Sequence, residues 1–339
     1  MTKSRLKFGV FLSSRTVAKS ATDRKLTASL TKGLFELAKA AEEGGFECLF
    51  LGDSLYKLPR LESITLLSAL ASKTEKVKLG TCCMASFPLR EPYLLALQWA
   101  TLDQVSVGRT ILGVCAGGPI IRGEERGGGR FFKEWEMMGK DYRHRGEMLE
   151  ENIIAIRKLW TEEHLTYDGK FVKLKDVTLE PKPYQNPPPI WIANNLDFER
   201  TKPEIIERSF RRTAKFADGW MTACDLVDFE KGLNVLNRHL KEESPSKRME
   251  IALQNGFNLN PDGGNAMRDA KRFLDTYYLT SHSETHLKSD YILGSYDDCI
   301  SRVQDAANHG ATTMILRPVS ANPMEQLKRA IDNVLPSFL

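Results

Sequence analysis

No stretch of this chain approaches the ~20 consecutive apolar residues that a bilayer-spanning helix needs, which argues against a membrane-embedded protein. Cysteine is sparse: six residues are scattered along the chain, two of them adjacent as Cys82-Cys83, with no C-x-x-C pair and no His/Cys ligand spacing. A disulfide framework is therefore not the basis of the fold, and no metal site is expected. Charge of one sign is lacking too, because 48 basic residues against 44 acidic ones leave a formal net charge of +4. That is too near balance for the strongly positive field of a nucleic-acid binder, although it suits mild attraction of an anionic cofactor. No internal repeat of fixed period and no low-complexity tract is evident. The first residues, Met1 to Arg5, run straight into the alternating segment Leu6 to Leu12 without the apolar core and cleavage site of an export signal, so a cytoplasmic protein is expected.

What is present is globular composition, 42% hydrophobic and 27% charged, arranged as short β-rich runs alternating with longer helical patterns. Eight strands are predicted: Leu6 to Ser13, Glu47 to Asp53, Val77 to Ala85, Arg109 to Ala116, Pro189 to Asn194, Gly219 to Ala223, Met249 to Leu259 and Thr312 to Pro318. Between them lie apolar residues three or four apart, such as Leu30, Leu34, Leu37 and Ala41, or Leu149, Ile153, Ile156 and Trp160. Gly44-Gly45 closes the first helix, and Pro92 and Pro203 stand at first-turn positions.

Repeated βα units with a closing helix favour one α/β domain over residues 1–339, a (β/α)8 TIM barrel, although a doubly wound sheet could use many of the same segments. Two connections, Gly117 to Tyr142 after the fourth strand and Leu165 to Pro188 before the fifth, are too long for simple loops and are expected to be insertions or lids.

Active sites of such barrels lie where the strands end. The first exit offers Phe11, and the second places the Asp53 carboxylate beside the Ser54 hydroxyl, where they could orient a ligand or merely cap a turn. Cys82 and Cys83 at the third exit are small and soft enough for a flat ring to approach, or are buried hydrophobes. The fourth exit, Gly113-Val114-Cys115-Ala116-Gly117-Gly118, is no dinucleotide fingerprint; Cys115 is a reactive thiol or a packed core residue. Arg122, Arg126 and Arg130 sit in a glycine-rich charged loop that could close over an anion or stay solvated. Asn194-Asn195 at the fifth exit could hold a phosphate or form an ordinary turn.

Taken in order, these exits resemble the bacterial-luciferase-like flavin- and deazaflavin-dependent oxidoreductases. The resemblance runs from Leu6 to about Leu335, through Lys7-Phe8-Gly9-Val10-Phe11, Gly44-Gly45-Phe46-Glu47, Val77-Lys78-Leu79-Gly80-Thr81, Asp103-Gln104-Val105-Ser106-Val107-Gly108-Arg109, Pro189-Ile190-Trp191-Ile192-Ala193 and Ala217-Asp218-Gly219-Trp220. It implies FMN, or alternatively coenzyme F420, bound without a covalent link, with Cys82-Cys83 carrying a non-prolyl cis peptide behind the ring. It further implies Cys115 near the flavin, Asn194 and Asn195 at the cofactor phosphate, and Gly219 and Trp220 on the ring or substrate side.

The implied activity is a monooxygenase in which reduced FMN, supplied by a separate flavin reductase, and oxygen act on a small organic substrate. Asp53, Ser54 and Cys115 would then stand around the ring. The alternatives are an F420-dependent reductase or dehydrogenase transferring a hydride, and a flavin-binding protein without catalysis. Relatives commonly form homodimers. Several carry a histidine where this chain has Ser54, and an arginine where it has Ala116, so proton handling and phosphate contacts cannot be copied across.

Overall fold

The structure, a computed structural model, describes residues 5–15, 24–56, 60–118, 128–278 and 280–338. Its first half supplies strands β1 (Lys7–Leu12), β2 (Cys48–Asp53), β3 (Lys78–Met84) and β4 (Thr110–Val114). Helices α1 (Arg24–Glu43), α2 (Ser63–Ala71) and α3 (Pro92–Val105) alternate with them. After β4 come α4 (Gly128–Met137), α5 (Arg145–Thr161) and a two-stranded hairpin, β5 (Leu165–Asp168) and β6 (Lys173–Val177). The second half continues β7 (Ile190–Ala193), α6 (Pro203–Phe216), β8 (Gly219–Thr222), α7 (Leu226–Glu243) and β9 (Glu250–Leu259). It closes with α8 (Gly263–Tyr278), α9 (Glu284–Asp290), β10 (Tyr291–Gly294), α10 (Tyr296–Asn308), β11 (Thr313–Pro318) and α11 (Pro323–Asn333).

Strands β11, β1, β2, β3, β4, β7, β8 and β9 pair in that order and in parallel, and β9 pairs with both β8 and β11, so the sheet closes into the expected eight-stranded barrel. Each strand lies within its predicted limits. The punctuation holds as well: Gly45 ends α1 with φ +89°, and Pro92 and Pro203 occupy the first turns of α3 and α6. Glu62, Glu91, Asp225 and Ser295 cap helices by accepting a backbone N–H of the first turn, which satisfies donors the helix itself leaves free.

Alternation along the strands separates two cores. Phe11, Cys48, Phe50, Ile111, Trp191, Met221, Ala252 and Ile315 fill the barrel, with Phe50 and Trp191 in ring contact at 5.9 Å. The alternate residues, including Val10, Leu12, Leu49, Leu51, Met314 and Leu316, face the helices. Only the second set is matched by the helix faces seen in sequence.

The two long connections carry structure of their own. In the described part of 117–142, α4 is pinned by Glu134, whose carboxylate accepts the Leu55 and Tyr56 amides at the β2 exit. Trp135 is buried edge-on against Tyr142, whose hydroxyl donates to the Gly118 carbonyl at 3.0 Å. The 165–188 stretch does not close over the strand exits as a lid. It connects a helix back to the start of a strand: its tip lies along α5, where Glu151 accepts the Phe171 and Val172 amides, and Gln185 bonds Asp103 and Thr110 at the amino end of β4. A third excursion, α8 to β10, is absent from the sequence reading. Its apolar spacing, Ala266, Ala270, Leu274 and Tyr277, was available to find it, and it brings Tyr277 and Tyr278 to the carboxyl end of β11.

Candidate active site

The exits of β1 to β4 bring Phe11, Asp53, Ser54, Cys82, Cys83 and Cys115 to one end of the barrel. The bond between Cys82 and Cys83 is cis. With β3 locally out of register, both cysteines reach the interior cluster. Cys82 donates to Gln254 Oε1 at 3.1 Å, and burial pushes its thiol up to about 12. Cys83 and Cys115 share a hydrogen bond across β3 and β4. Cys83 is pushed up by that bond and by burial, while Cys115, which receives the bond and also meets the Gly117 N–H, is held below the ordinary thiol value against the opposing effect of burial. Cys115 is thus the most thiolate-prone of the three.

Asp53 is committed elsewhere. Its Oδ1 accepts Ser63 Oγ and Arg90 Nη2, both at 2.8 Å, and its Oδ2 accepts the Ser86 amide at 3.0 Å and hydroxyl at 2.5 Å. Four bonds occupy the capacity of a carboxylate, so Asp53 ties the β2 exit to α2 and to the turn after β3 rather than facing a ligand. Arg90 is shared with Glu62 at 2.8 Å, and against the effect of burial these two carboxylates raise its pKa. Ser54 follows at the rim, half-buried.

On the far side of the barrel, Asn195 Oδ1 accepts the Ala223 amide at 3.0 Å, and Asn194 Nδ2 is a buried donor without an acceptor in the structure. Gly219 and Trp220 are not part of the mouth. Gly219 starts β8 beneath Trp191, where a Cβ would come within 2.6 Å of the indole, so its smallness makes room for the barrel core. Trp220 points outward, stacked on Phe229 at 5.5 Å and edge-on to Phe210 at 5.4 Å between sheet and helices. The inward residue of that strand is Met221. Arg122 and Arg126, and the side chain of Arg130, lie outside the described residues.

One inward-facing charged group escaped the sequence reading. Arg317, inward-facing two residues beyond Ile315 on β11, is 4% exposed and lies over the rings of Tyr277 at 4.2 Å and Phe11 at 5.3 Å. It donates to the Tyr278 hydroxyl at 2.8 Å and to Ser13 Oγ at 3.3 Å, and its Nη2 has no acceptor among the described residues. An arginine at a strand exit in the inward phase was the available signal. Burial alone would raise the Tyr277 phenol; the guanidiniums of Arg317, Arg60 and Arg15 outweigh it and hold the phenol below its ordinary value.

A flat, polar-edged ring fits these residues. The β3 and β4 exits present the small side chains of Cys82, Cys83 and Cys115, and a buried donor on Asn194 lacks an acceptor among the described residues. An apolar cavity of about 230 Å³ lies mostly between β1, α1 and α11, with Leu34, Leu37 and Leu327 among its walls, and reaches the mouth at Phe11 and Ser13.

Comparison with known proteins agrees with this fold. The model of the luciferase-like monooxygenase family matches residues 6–313, and the chain belongs to that family. It is 27% identical over 243 residues to an F420-dependent glucose-6-phosphate dehydrogenase of Nakamurella multipartita, covering 70% of this chain and 67% of that one. It is 29% identical over 195 residues to the oxygenase component of a flavin-dependent trigonelline monooxygenase of Acinetobacter baylyi, covering 56% and 49%. The chain spans about half the length of most of the curated relatives it matches. A monooxygenase from Streptomyces bottropensis shares the fold with a TM-score of 0.79 at 19% identity, over 98% of this chain and 100% of that one. Among the described residues no helix is long and apolar enough to cross a membrane, and no cluster of side chains suits a metal ion.

Proposed function

We propose that this chain is the oxygenase of a two-component system, taking reduced FMN from a separate reductase and using oxygen to oxygenate a small organic substrate. The observation that carries the reading is the chemistry of the mouth: Phe11, Cys82, Cys83, Met221, Gln254 and Arg317 face inward, and the Asp53 carboxylate nearby is fully engaged. Oxidation of an alcohol by hydride removal needs a base to take the hydroxyl proton, and neither an imidazole nor an uncommitted carboxylate stands among those residues. The oxygenase-component relative supports the same reading.

Bound reduced flavin supplies the activation of oxygen. The protein supplies the setting. The wall at Cys82-Cys83 backs the ring, Asn194 and Asn195 hold the cofactor phosphate, and Cys115 lies at the ring side. The described part of 117–142, anchored through Glu134 and Trp135, limits water.

A second reading, F420-dependent hydride transfer, draws on the dehydrogenase relative that aligns with 70% of this chain. Anaerobic binding of oxidised and reduced FMN and of F420, followed by admission of air with absorbance recorded, separates the two. Tight binding of reduced FMN with an oxygen-dependent spectral transient is expected; preference for F420 without an oxygen reaction would replace the first reading by the second.

A further inference from the structure

Arg317 is a buried charge without a counter-charge among the described residues. Among the described residues, no carboxylate lies within ion-pairing distance of it or of Arg60. A guanidinium stays protonated at any ordinary pH, and an uncompensated buried ion is costly to keep. Aromatic faces, one phenol and one serine hydroxyl relieve part of that cost, but Nη2 still lacks an acceptor.

Arg60 adds a second cation from the β2 side. Its Nη1 occupies the space where a Cβ on Gly52 would project, beside the Phe11 ring, and its buried Nε has no acceptor either. Arg15 lies over Tyr277 at 4.7 Å, so three guanidiniums surround one phenol. Arg317 and Arg60 repel each other until an anion enters between them. The planar forks of arginine match the two oxygens of a carboxylate, phosphonate or sulfonate.

We propose that Arg60 and Arg317, with Arg15 and the phenols of Tyr277 and Tyr278, form a site for an oxyanion carried by the substrate. The position separates this site from the proposed cofactor phosphate. Around the closed sheet, the arginines belong to the β11, β1 and β2 exits, whereas Asn194 and Asn195 end β7, four strands from β1. The mouth would hold the cofactor between them, with the substrate's anionic group at the arginine edge. The assignment to substrate rests on the flavin-enzyme reading above; the anion preference itself does not.

The test is calorimetric titration of the full chain with benzoate and phenylphosphonate, with neutral benzamide as control, and separately with FMN and with riboflavin, which lacks the phosphate. At least one oxyanion is expected to bind the wild type more tightly than benzamide. Its affinity should fall about 30-fold or more in Arg317→Gln and in Arg60→Gln, with FMN and riboflavin affinities unchanged. Arg317→Lys, which keeps the charge and loses the fork, should fall between; it and Arg60→Gln carry the test if Arg317→Gln does not fold.

Equal binding of benzamide and both oxyanions, or oxyanion affinity indifferent to these substitutions, would overturn the site. Weakening of FMN but not riboflavin would give the arginines to the cofactor phosphate and overturn the substrate assignment. Arginine-dependent oxyanion binding in a protein that binds neither FMN nor F420 would sustain the anion site while removing the flavin reading.

Discussion

Replacing Asp53 by asparagine keeps the size of the side chain and removes its charge. All four positions around the carboxylate are taken by donors from Ser63, Arg90 and Ser86. An asparagine has one oxygen to offer. If its NH2 replaces Oδ1 it meets the Arg90 guanidinium, and if it replaces Oδ2 it meets the Ser86 amide; neither of these can turn into an acceptor. Breaking one side of a buried ion pair costs ~3–5 kcal/mol. Arg90 keeps Glu62 as a second partner, 41% exposed at the side chain, so the lower end applies, about 3 kcal/mol. With an unfolding entropy of roughly 2.1 cal/mol/K per residue, the 339-residue chain should lose about 4 °C in Tm. Scanning calorimetry of the purified variant, with FMN titration alongside, reads this directly. A Tm within about 1 °C of wild type together with lost turnover would show that Asp53 serves the chemistry and refute its assignment as a structural tie.

Three further outcomes follow from the same geometry. Gly113→Ala should cost more than the ~1–3 kcal/mol of ordinary overpacking, because the new Cβ would lie 1.9 Å from the Thr81 carbonyl oxygen; soluble yield and Tm check this, and a wild-type Tm would contradict it. Alkylation by iodoacetamide should modify Cys115 before Cys82, whose thiol sits at about 12. Peptide mass spectrometry gives the order, and earlier labelling of Cys82 would reverse the reading. Glu42 is held below its ordinary value of 4.5: burial would raise it, but the amides of Lys76, Val77 and Glu75 outweigh that. Its contribution to stability is therefore full above the unfolded value and is lost as pH falls through the lower folded one. Glu42→Gln should flatten the fall in Tm as pH drops below the ordinary value of 4.5, and an unchanged acid limb would count against these bonds.

The barrel was legible because each strand is a short apolar run bounded by turn residues, and each covering helix shows its own period, as in Leu149, Ile153, Ile156 and Trp160. The site was legible only in part. Cys82, Cys83 and Cys115 were placed by their strand exits, but whether a residue faces in or out depends on parity within the strand. Trp220 was assigned to the ring side although it is out of phase with the inward Met221. The commitment of Asp53 depends on Arg90, 37 positions away, and the setting of Arg317 on Tyr278, 39 positions away. Neither pairing leaves a local pattern. The α8 segment had the helical spacing to be seen, but nothing in its composition marks the end of the barrel to which it returns.

The contact of Phe50 with Trp191 across the barrel interior acts as a bulkhead. Beneath it, the sheet is close-packed and intolerant of change. Above it lie the strand exits, bordered by α4 and by the Tyr277-Tyr278 end of α8, two elements outside the sheet. Substitution on α4 or at the end of α8 can therefore alter which molecule enters with little cost to the sheet, so one closed sheet can be inherited across a family whose members act on unlike compounds.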